Sequence, residues 1–289
     1  MNRELTIVFN SYQSYHLLIK LLKQFYNKYK ILIIENSLDI KIKKKLESRF
    51  HGIEVIIPEK NLGLARGYNL GIKKSKTKFI FLNNPDIEIS NKSINDLLHC
   101  AKNIKNFGII APIYKNEKIY KNYENFSKKK DKYSKILKKF DIKEVDLIDN
   151  NFFVKKDNIK KNLFDENYFL YFETVDFATR MRKLGKKIYI ARNIKFHHYG
   201  SSSLSSKYSN LVKKTRSFHF NWSKFYFYKK NFSYFYALKK IYPNFIRAIK
   251  KSLIFIFKLD MKNLKFSILE ILGILTSILG FKSFYRPKN

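Results

Sequence analysis

"NLGLARGYNLGIKKSKTKFIFLNNPDIEI", residues 61–89, decides how the chain folds. Gly63, Gly67 and Gly71 recur every four residues, so a helix places them on one face, a turn apart. A glycine face suits a helix packed closely on a sheet. The apolar run "KFIFLNN" that follows reads as a strand stopping at Pro85, where Asn, Pro and Asp are common turn residues. A helical pattern leading straight into an apolar strand is part of a βαβ unit.

The alternation continues on both sides. Leu5–Phe9 is a first strand, and Ile31–Ile34 and Ile53–Ile57 are two more. Leu17, Leu18, Leu21, Leu22, Phe25, Tyr26 and Tyr29 have helical spacing, which predicts an amphipathic helix over His16–Tyr29. Ser93 with Asp96 suits the cap of a helix running through Lys102. "FGIIAPI" is another strand. Residues 115–143 are rich in lysine and weakly patterned, an exposed excursion with helical character around Ser134–Phe140. "VDLIDNNFFVKK" returns to strand, a short helix follows with Gly185 placed to end it, and "KKIYIAR" is the final strand. The class is α/β with a mainly parallel central sheet. No internal repeat is present.

A chain of 289 residues, 45% apolar, can bury one large domain with an appendage, or two small ones. The single cysteine, Cys100, excludes an intrachain disulfide and gives no reason to place the protein in an oxidising compartment. The first apolar run, interrupted by Thr6, is too short for a signal-peptide core. The net charge of +36 points toward nucleic acid, anionic lipid or phosphorylated substrates. A surface drifted toward lysine, alongside abundant Asn, Ile, Phe and Tyr, would produce the same number.

The charge is concentrated in the tail. Residues 206–289 hold 18 Lys+Arg against 2 Asp+Glu, while residues 1–205 hold 41 against 21. The tail also carries "FHFNWSKFYFYKKNFSYFY" and two apolar runs, "SLIFIFKLDM" and "FSILEILGILTSILGF", the longer one broken by Glu270. Spanning a bilayer takes about 20 apolar residues. The expectation is therefore a 1–205 domain and a 206–289 region of amphipathic helices on an anionic membrane surface, with Trp222 and the Phe/Tyr cluster at headgroup level. Packing on the first domain, or a contact between copies, is the alternative.

Ligands of open α/β sheets bind beyond the carboxyl ends of the strands. The polar residues expected there are Asn10, Glu35–Asn36–Ser37, Asn61, Asn83–Asp86 and the region of Glu173. A carboxylate in "FLNNPDIEI" could hold a divalent ion on a diphosphate, although a plain turn accounts for the same spacing. "NLGLARGYNLGI" matches neither the dinucleotide fingerprint nor the phosphate loop. In "YFETVDFATRMRKLG", residues 171–185, Glu173 and Asp176 share roughly one helix face. A helix start favours carboxylates with or without chemistry, and Arg180 could simply pair with Asp176. Adjacent His197 and His198 on a strand point to opposite faces, so at most one enters a shared site. The chain offers no Ser/His/Asp or Cys/His set, and Cys100 within a helix reads as packing.

In order, "IVFNSY", "ILIIENS", "NLGLARGYNLGI", "FLNNPDIEI" and "FDENYFLYFETVDFATRMRKLGKKIYIARNIKFHHYGSSS" resemble the family 2 glycosyltransferases. The branch they look most like is rhamnosyltransferase-like and galactofuranosyltransferase-like. The likeness covers residues 5 to about 205. It implies the GT-A fold and an inverting, metal-dependent transfer from a UDP- or dTDP-sugar to a hydroxyl of a glycan or lipid-linked acceptor, in surface polysaccharide assembly. It implies cytoplasmic placement on the inner face of the membrane.

Residue by residue, the resemblance gives Glu35 the contact to the nucleotide base, where the family more often has Asp. Asn10, Asn36, Asn61, Gly63, Arg66, Asn69 and Asn84 would line the nucleotide-sugar pocket. Asp86 would bind Mg2+ or Mn2+ with His198, and Asn84 fills the first acidic position of the D-x-D motif. Where the family reads E-D-x-D, with the second residue as base, this chain has Thr174, whose hydroxyl cannot serve near neutral pH. Glu173 is then the expected base and Asp176 its support. An inactive scaffold of the same fold is the alternative. A basic nucleic-acid binder is a further one, weakened by the lack of any RNA-recognition, zinc-finger or helix-turn-helix signature.

Overall fold

Four short apolar segments in the N-terminal part form a parallel array because a helix long enough to carry the chain back lies between each one and the next. The computed structural model describes residues 2–124, 135–149, 151–159, 163–199 and 209–286. Strands and helices alternate as β1 (Asn2–Ser11), α1 (Tyr15–Phe25), β2 (Tyr29–Glu35), α2 (Ile40–Arg49), β3 (Ile53–Ile56), α3 (Gly63–Lys74), β4 (Phe79–Asn83), β5 (Ile87–Glu88), α4 (Asn91–Asn103) and β6 (Phe107–Tyr114). Then come β7 (Tyr123–Glu124), a 3-10 helix over Lys135–Phe140, β8 (Ile142–Val145), β9 (Leu147–Ile148), β10 (Phe152–Lys155), α5 (Lys156–Ile159), α6 (Glu173–Lys183) and β11 (Lys187–His198). Three helices close the chain: α7 (Ser209–Asn231), α8 (Tyr234–Phe257) and α9 (Met261–Ile278).

The central sheet runs β3-β2-β1-β4-β10-β6-β11-β5, with β8 also on β11. β1, β2, β3 and β4 are parallel, as are β6 and β11. β10 is antiparallel to both β4 and β6, and β5 and β8 are antiparallel to β11. The sheet is thus mixed: the expected parallel ladders are present, and β10, β5 and β8 are added antiparallel. The excursion after β6 contains no crossover helix among its described residues. The chain re-enters from the end where β6 finished, and an antiparallel strand follows.

The chain divides into two compact units. The first comprises Met1–Leu62, Arg66–Phe164 and Phe177–Ser203; the second comprises Gly63–Ala65, Asp165–Asp176 and Leu204–Asn289. The expected 205/206 boundary lies outside the described residues. In the first unit the core is built from sheet residues such as Ile7, Phe9, Ile33 and Phe81 with Leu18, Leu22 and Phe25 of α1. Helix α1 stops at Phe25, four residues short of the expected end. Tyr29 joins β2, and its hydroxyl donates to Asn91 and Asn95 side chains at 2.7 and 2.8 Å. Helix α2 escaped the pattern because only Ile42 and Leu46 are buried on it. Ser90, rather than Ser93, caps α4, accepting from the Ser93 N–H at 3.1 Å. Cys100 is buried there, and burial together with the charge of Asp96 pushes its thiol up to about 12.

The glycine face of α3 does what its spacing predicts. A Cβ at Gly71 would collide with Val8, and one at Gly67 with the Asn10 side chain. Gly185 ends α6 in the left-handed region (φ 71°), with the Lys186 N–H donating to the Met181 carbonyl at 3.0 Å.

In the second unit α7, α8 and α9 pack on one another. Phe225, Ala237, Ile241 and Ile274 form a shared core. Gly273 lets α9 approach α7 so closely that a Cβ would strike the Phe218 carbonyl. Trp222 is 3% exposed and its indole N–H donates to the Phe281 carbonyl at 3.1 Å. Phe218, Phe225 and Phe227 are buried as well. This corrects the placement of Trp222 at headgroup level: it and the rings of α7 beside it are core, whereas Phe232, Tyr234, Phe235 and Tyr236 at the end of the cluster are exposed. Among the described residues no helix is long and apolar enough to cross a membrane.

Candidate active site

The parallel order β3-β2-β1-β4 brings the carboxyl ends of four strands to one edge of the sheet. There the Asn36 amide donates to the Asn10 carbonyl oxygen at 2.5 Å and accepts from the Leu62 N–H at 3.0 Å. Glu35 is fully buried. It accepts from the Ser11 hydroxyl at 2.6 Å and from the Gln13 and Ser37 N–H groups at 3.1 and 3.0 Å. As placed, this carboxylate ties the ends of β1 and β2 together. Asn69 acts similarly as scaffold: both ends of its amide bond the Phe164 backbone, each at 2.9 Å. Asn61 and Arg66 are half-buried on either side of the start of α3.

The turn after β4 presents Asn84 and Asp86. The Tyr68 hydroxyl donates to Asn84 Oδ1 at 2.7 Å. Asp86 Oδ2 lies 3.1 Å from His198 Nε2, although 112 residues separate them. The pairing follows from the sheet, since β5 zips onto the end of β11 and sets His198 opposite Ile87. His197 points elsewhere, its ring against Tyr114 and Tyr199. Burial alone would lower the His198 pKa, but the hydrogen bond to Asp86 and the charges of Asp86 and Asp149 outweigh it, and the net shift is upward. Gly200–Ser203, the end of the last motif, lie outside the described residues.

Does this pair suit a divalent ion? A carboxylate oxygen and an imidazole nitrogen are both ordinary donors to Mn2+ or Mg2+. Their separation is close to the ~3 Å between neighbouring ligands about an ion held at ~2.1 Å. Among the described residues no group of three or more His, Cys, Asp or Glu could hold a metal. The residues fit an ion whose remaining ligands come from a bound phosphate.

Two residues carry a signal that spacing did not give. Asn83 Oδ1 and both amide atoms of Asn151 are buried without hydrogen-bond partners among the described residues. The register Phe152–Leu82 sets Asn151 opposite Asn83, at the same strand end that delivers Asp86. Buried polar groups are normally satisfied. Orphans at a strand end are candidates for contact with a ligand's polar atoms. In sequence Asn151 lies within "VDLIDNNFFVKK", read only as strand, so burial reveals what spacing does not.

The remaining candidates belong to the second unit. Glu173 opens α6 and is 3% exposed; Thr174 and Asp176 are buried beside it in sequence. Tyr171 and Phe172, just before, both have positive φ (69° and 64°), a conformation that aromatic residues rarely adopt. Their rings pack on Phe220, and Phe172 also on Phe227, which holds the backbone in place. Asp176 Oδ2 accepts from the Lys230 ammonium at 2.9 Å and Oδ1 from the Asn231 amide at 3.1 Å. Lys230 also bonds Asp165 at 2.7 Å. Burial would raise the Asp165 pKa, but the Lys230 and Asn167 hydrogen bonds hold it below the usual carboxylate value. Asp176 thus anchors the start of α6 to α7. Gly63 lies in this unit too, in the left-handed region, with Leu64 N–H donating to the Phe169 carbonyl at 2.8 Å.

The model of a family described as "Glycosyl transferase family 2" matches residues 5–163, more than half of the chain. The chain belongs to glycosyl transferase family 2. The matched span includes Asp86 and ends before Glu173 and His198. No curated protein matches the chain. Among solved structures it is similar to GalNAc-T7 with UDP, GalNAc and Mn2+ (14% identity, TM-score 0.54), covering 80% of this chain but 52% of that one. The chain therefore spans about half the length of that enzyme. It is also similar to the mannosyltransferase PcManGT from Pyrobaculum calidifontis in complex with GDP-Man and Mn2+, at 8% identity and TM-score 0.58, covering 96% of this chain and 88% of that one. S. aureus TarS matches at 11% identity and TM-score 0.50, over 98% and 93%. At such identities the likeness shows the fold, which is of the GT-A type.

Proposed function

We propose that this glycosyltransferase moves a sugar from a UDP- or dTDP-activated donor to a hydroxyl of a glycan or lipid-linked acceptor, with inversion. The observation that carries this reading is the Asp86–His198 pair, 3.1 Å apart at the carboxyl edge of the sheet. Asp86 and His198 would hold Mg2+ or Mn2+, and Asn84 would face the donor. When bound, the ion supplies positive charge against the departing diphosphate. The Mn2+ and nucleotide ligands of two of the similar structures support this. Glu173 takes the proton from the acceptor hydroxyl as it attacks the anomeric carbon, and the nucleoside diphosphate leaves from the opposite face. A single in-line displacement needs no enzyme nucleophile. Asp176, bonded to Lys230 and Asn231, is assigned to positioning. The finer placing in the rhamnosyltransferase-like and galactofuranosyltransferase-like branch rests on the motifs alone.

The test is Mn2+-dependent donor turnover, with binding read in parallel as a thermal shift. Asp86→Ala should abolish turnover and the metal-dependent shift. Full activity in that variant would remove the metal assignment. Glu173→Gln should stop turnover and keep the donor shift.

A second reading, an impaired enzyme kept as a scaffold, draws on Thr174 at the usual base position and on the burial of Glu173. It expects negligible turnover in the natural chain and a large gain in Thr174→Asp.

A further inference from the structure

Helix α8 is apolar on two opposite faces. One face, with Ala237, Ile241 and Ala248, is buried in the three-helix core. The other carries Phe235, Tyr242, Leu253, Ile256 and Phe257, all exposed, with Phe235 at 81% and Phe257 at 86%. Single exposed apolar residues are ordinary; a stripe along a whole helix is not. Helix α9 repeats the pattern, exposing Met261, Ile268 and Leu275 at seven-residue intervals. The turn between them adds Leu259, which is 83% exposed and has φ 52°. A free surface turn at that φ would favour Gly, Asn or Asp. Leucine there is unfavourable both for backbone and for water.

Charge says what covers this face. Lys239, Lys240, Lys250, Lys258, Lys262 and Lys265 are exposed along the same two helices. From residue 234 to 265 the only acidic side chain is Asp260, and its carboxylate accepts from the Asn263 N–H as the cap of α9. Lys213, Arg216 and Lys251 line a cleft of about 230 Å³ with Phe255 and Phe266, against the single carboxylate of Glu270. A second copy would set cations against cations. An anionic bilayer offers hydrocarbon for the stripe and phosphate for the lysines.

We propose that the outer face of α8 and the α8–α9 turn dock on an anionic lipid bilayer, with Phe257, Leu259 and Met261 entering between the headgroups and the surrounding lysines meeting lipid phosphates. Attachment through these residues does not depend on the transfer chemistry.

The experiment is co-sedimentation of the full-length protein with phosphatidylcholine vesicles, with and without phosphatidylglycerol. The natural chain should bind the anionic vesicles at least about tenfold better than the neutral ones, and less well as salt rises. The double substitution Phe257→Asp with Leu259→Asp should cut that binding about tenfold or more at unchanged helix content and melting temperature. Asp is tolerated at the left-handed position, so the fold is retained. Replacing Lys258 and Lys262 with Glu should remove the preference for anionic lipid. Equal binding by the double variant, or no binding by the natural chain, would overturn the proposal. So would a concentration-dependent dimer that the double variant abolishes. Turnover of a nucleotide-sugar without lipid, read in the same samples, should be the same in both chains, which separates failure of docking from failure of the transferase reading.

Discussion

Asn151 is a buried polar side chain at the strand end that carries Asp86. Its amide has no partner among the described residues and is 1% exposed, so it costs stability where a leucine of similar size would not. Asn151→Leu should therefore leave the fold as stable or up to ~1 kcal/mol more stable by urea denaturation. The same variant should lose about tenfold or more in donor turnover, since it removes a polar contact at the strand end that carries Asp86. A destabilised but active variant would make Asn151 a structural residue. Asp86 and His198 were legible in sequence because motif order singled them out across 112 positions. The scaffold roles of Glu35 and Asn69 were not, because a carboxylate or amide bonded to backbone has the same letters as one facing a ligand. Asp176 is similar: its bond to Lys230 joins residues 54 apart, which no local pattern encodes.

Elements were legible where periodicity was strong. Strands β1 to β4 and helix α1 follow their apolar spacing, and Gly67 and Gly71 of α3 are explained by their contacts with Asn10 and Val8 of β1. Helix α2, with two buried apolar residues, was invisible for want of signal, and β10 looked like any strand because orientation is set by the route of the chain, not by its residues. The tail was misread for a related reason: a helix rich in aromatics can face lipid or core, and Trp222 faces core. The C-terminal segment then fastens α7 through His219. Its Nε2–H donates to the Tyr285 carbonyl at 2.7 Å, and Nδ1 accepts from the Ser283 hydroxyl at 3.0 Å. Burial pushes its pKa down to about 3; the Tyr285 carbonyl opposes this and the charge of Arg286 adds to it. The folded pKa lies below the unfolded value near 6.5, so the imidazole is neutral in the fold. Above pH 6.5 neither state binds the proton and nothing changes. As pH falls below 6.5 the unfolded chain takes the proton and the fold does not. By pH 4.5 this linkage should cost ~2–3 kcal/mol. His219→Gln should flatten the loss of stability between pH 6.5 and 4.5, measured by denaturation across that range. An unchanged slope would mean His219 is protonated in the fold.

For the whole molecule the governing quantity is charge. A chain of +36 repels itself when compact, and part of its folding free energy opposes that repulsion. Salt shortens the screening length from about 10 Å at 0.1 M to about 3 Å at 1 M. Surface pairs such as Lys102–Glu4 are weakened by the same screening, but each contributes little. With 59 cationic side chains against 23 acidic ones, relief of repulsion wins. The melting temperature should therefore rise with NaCl, most of the rise coming at low concentration, where screening changes fastest. Binding to anionic vesicles should move the other way over the same range, since it uses the same lysines attractively. The opposite signs are the informative result. A purely apolar attachment would strengthen or hold steady with salt, and a fold secured by ion pairs would melt earlier. The first outcome would show that lysine content does not set docking, the second that it does not set stability, and both together would return the charge to compositional drift.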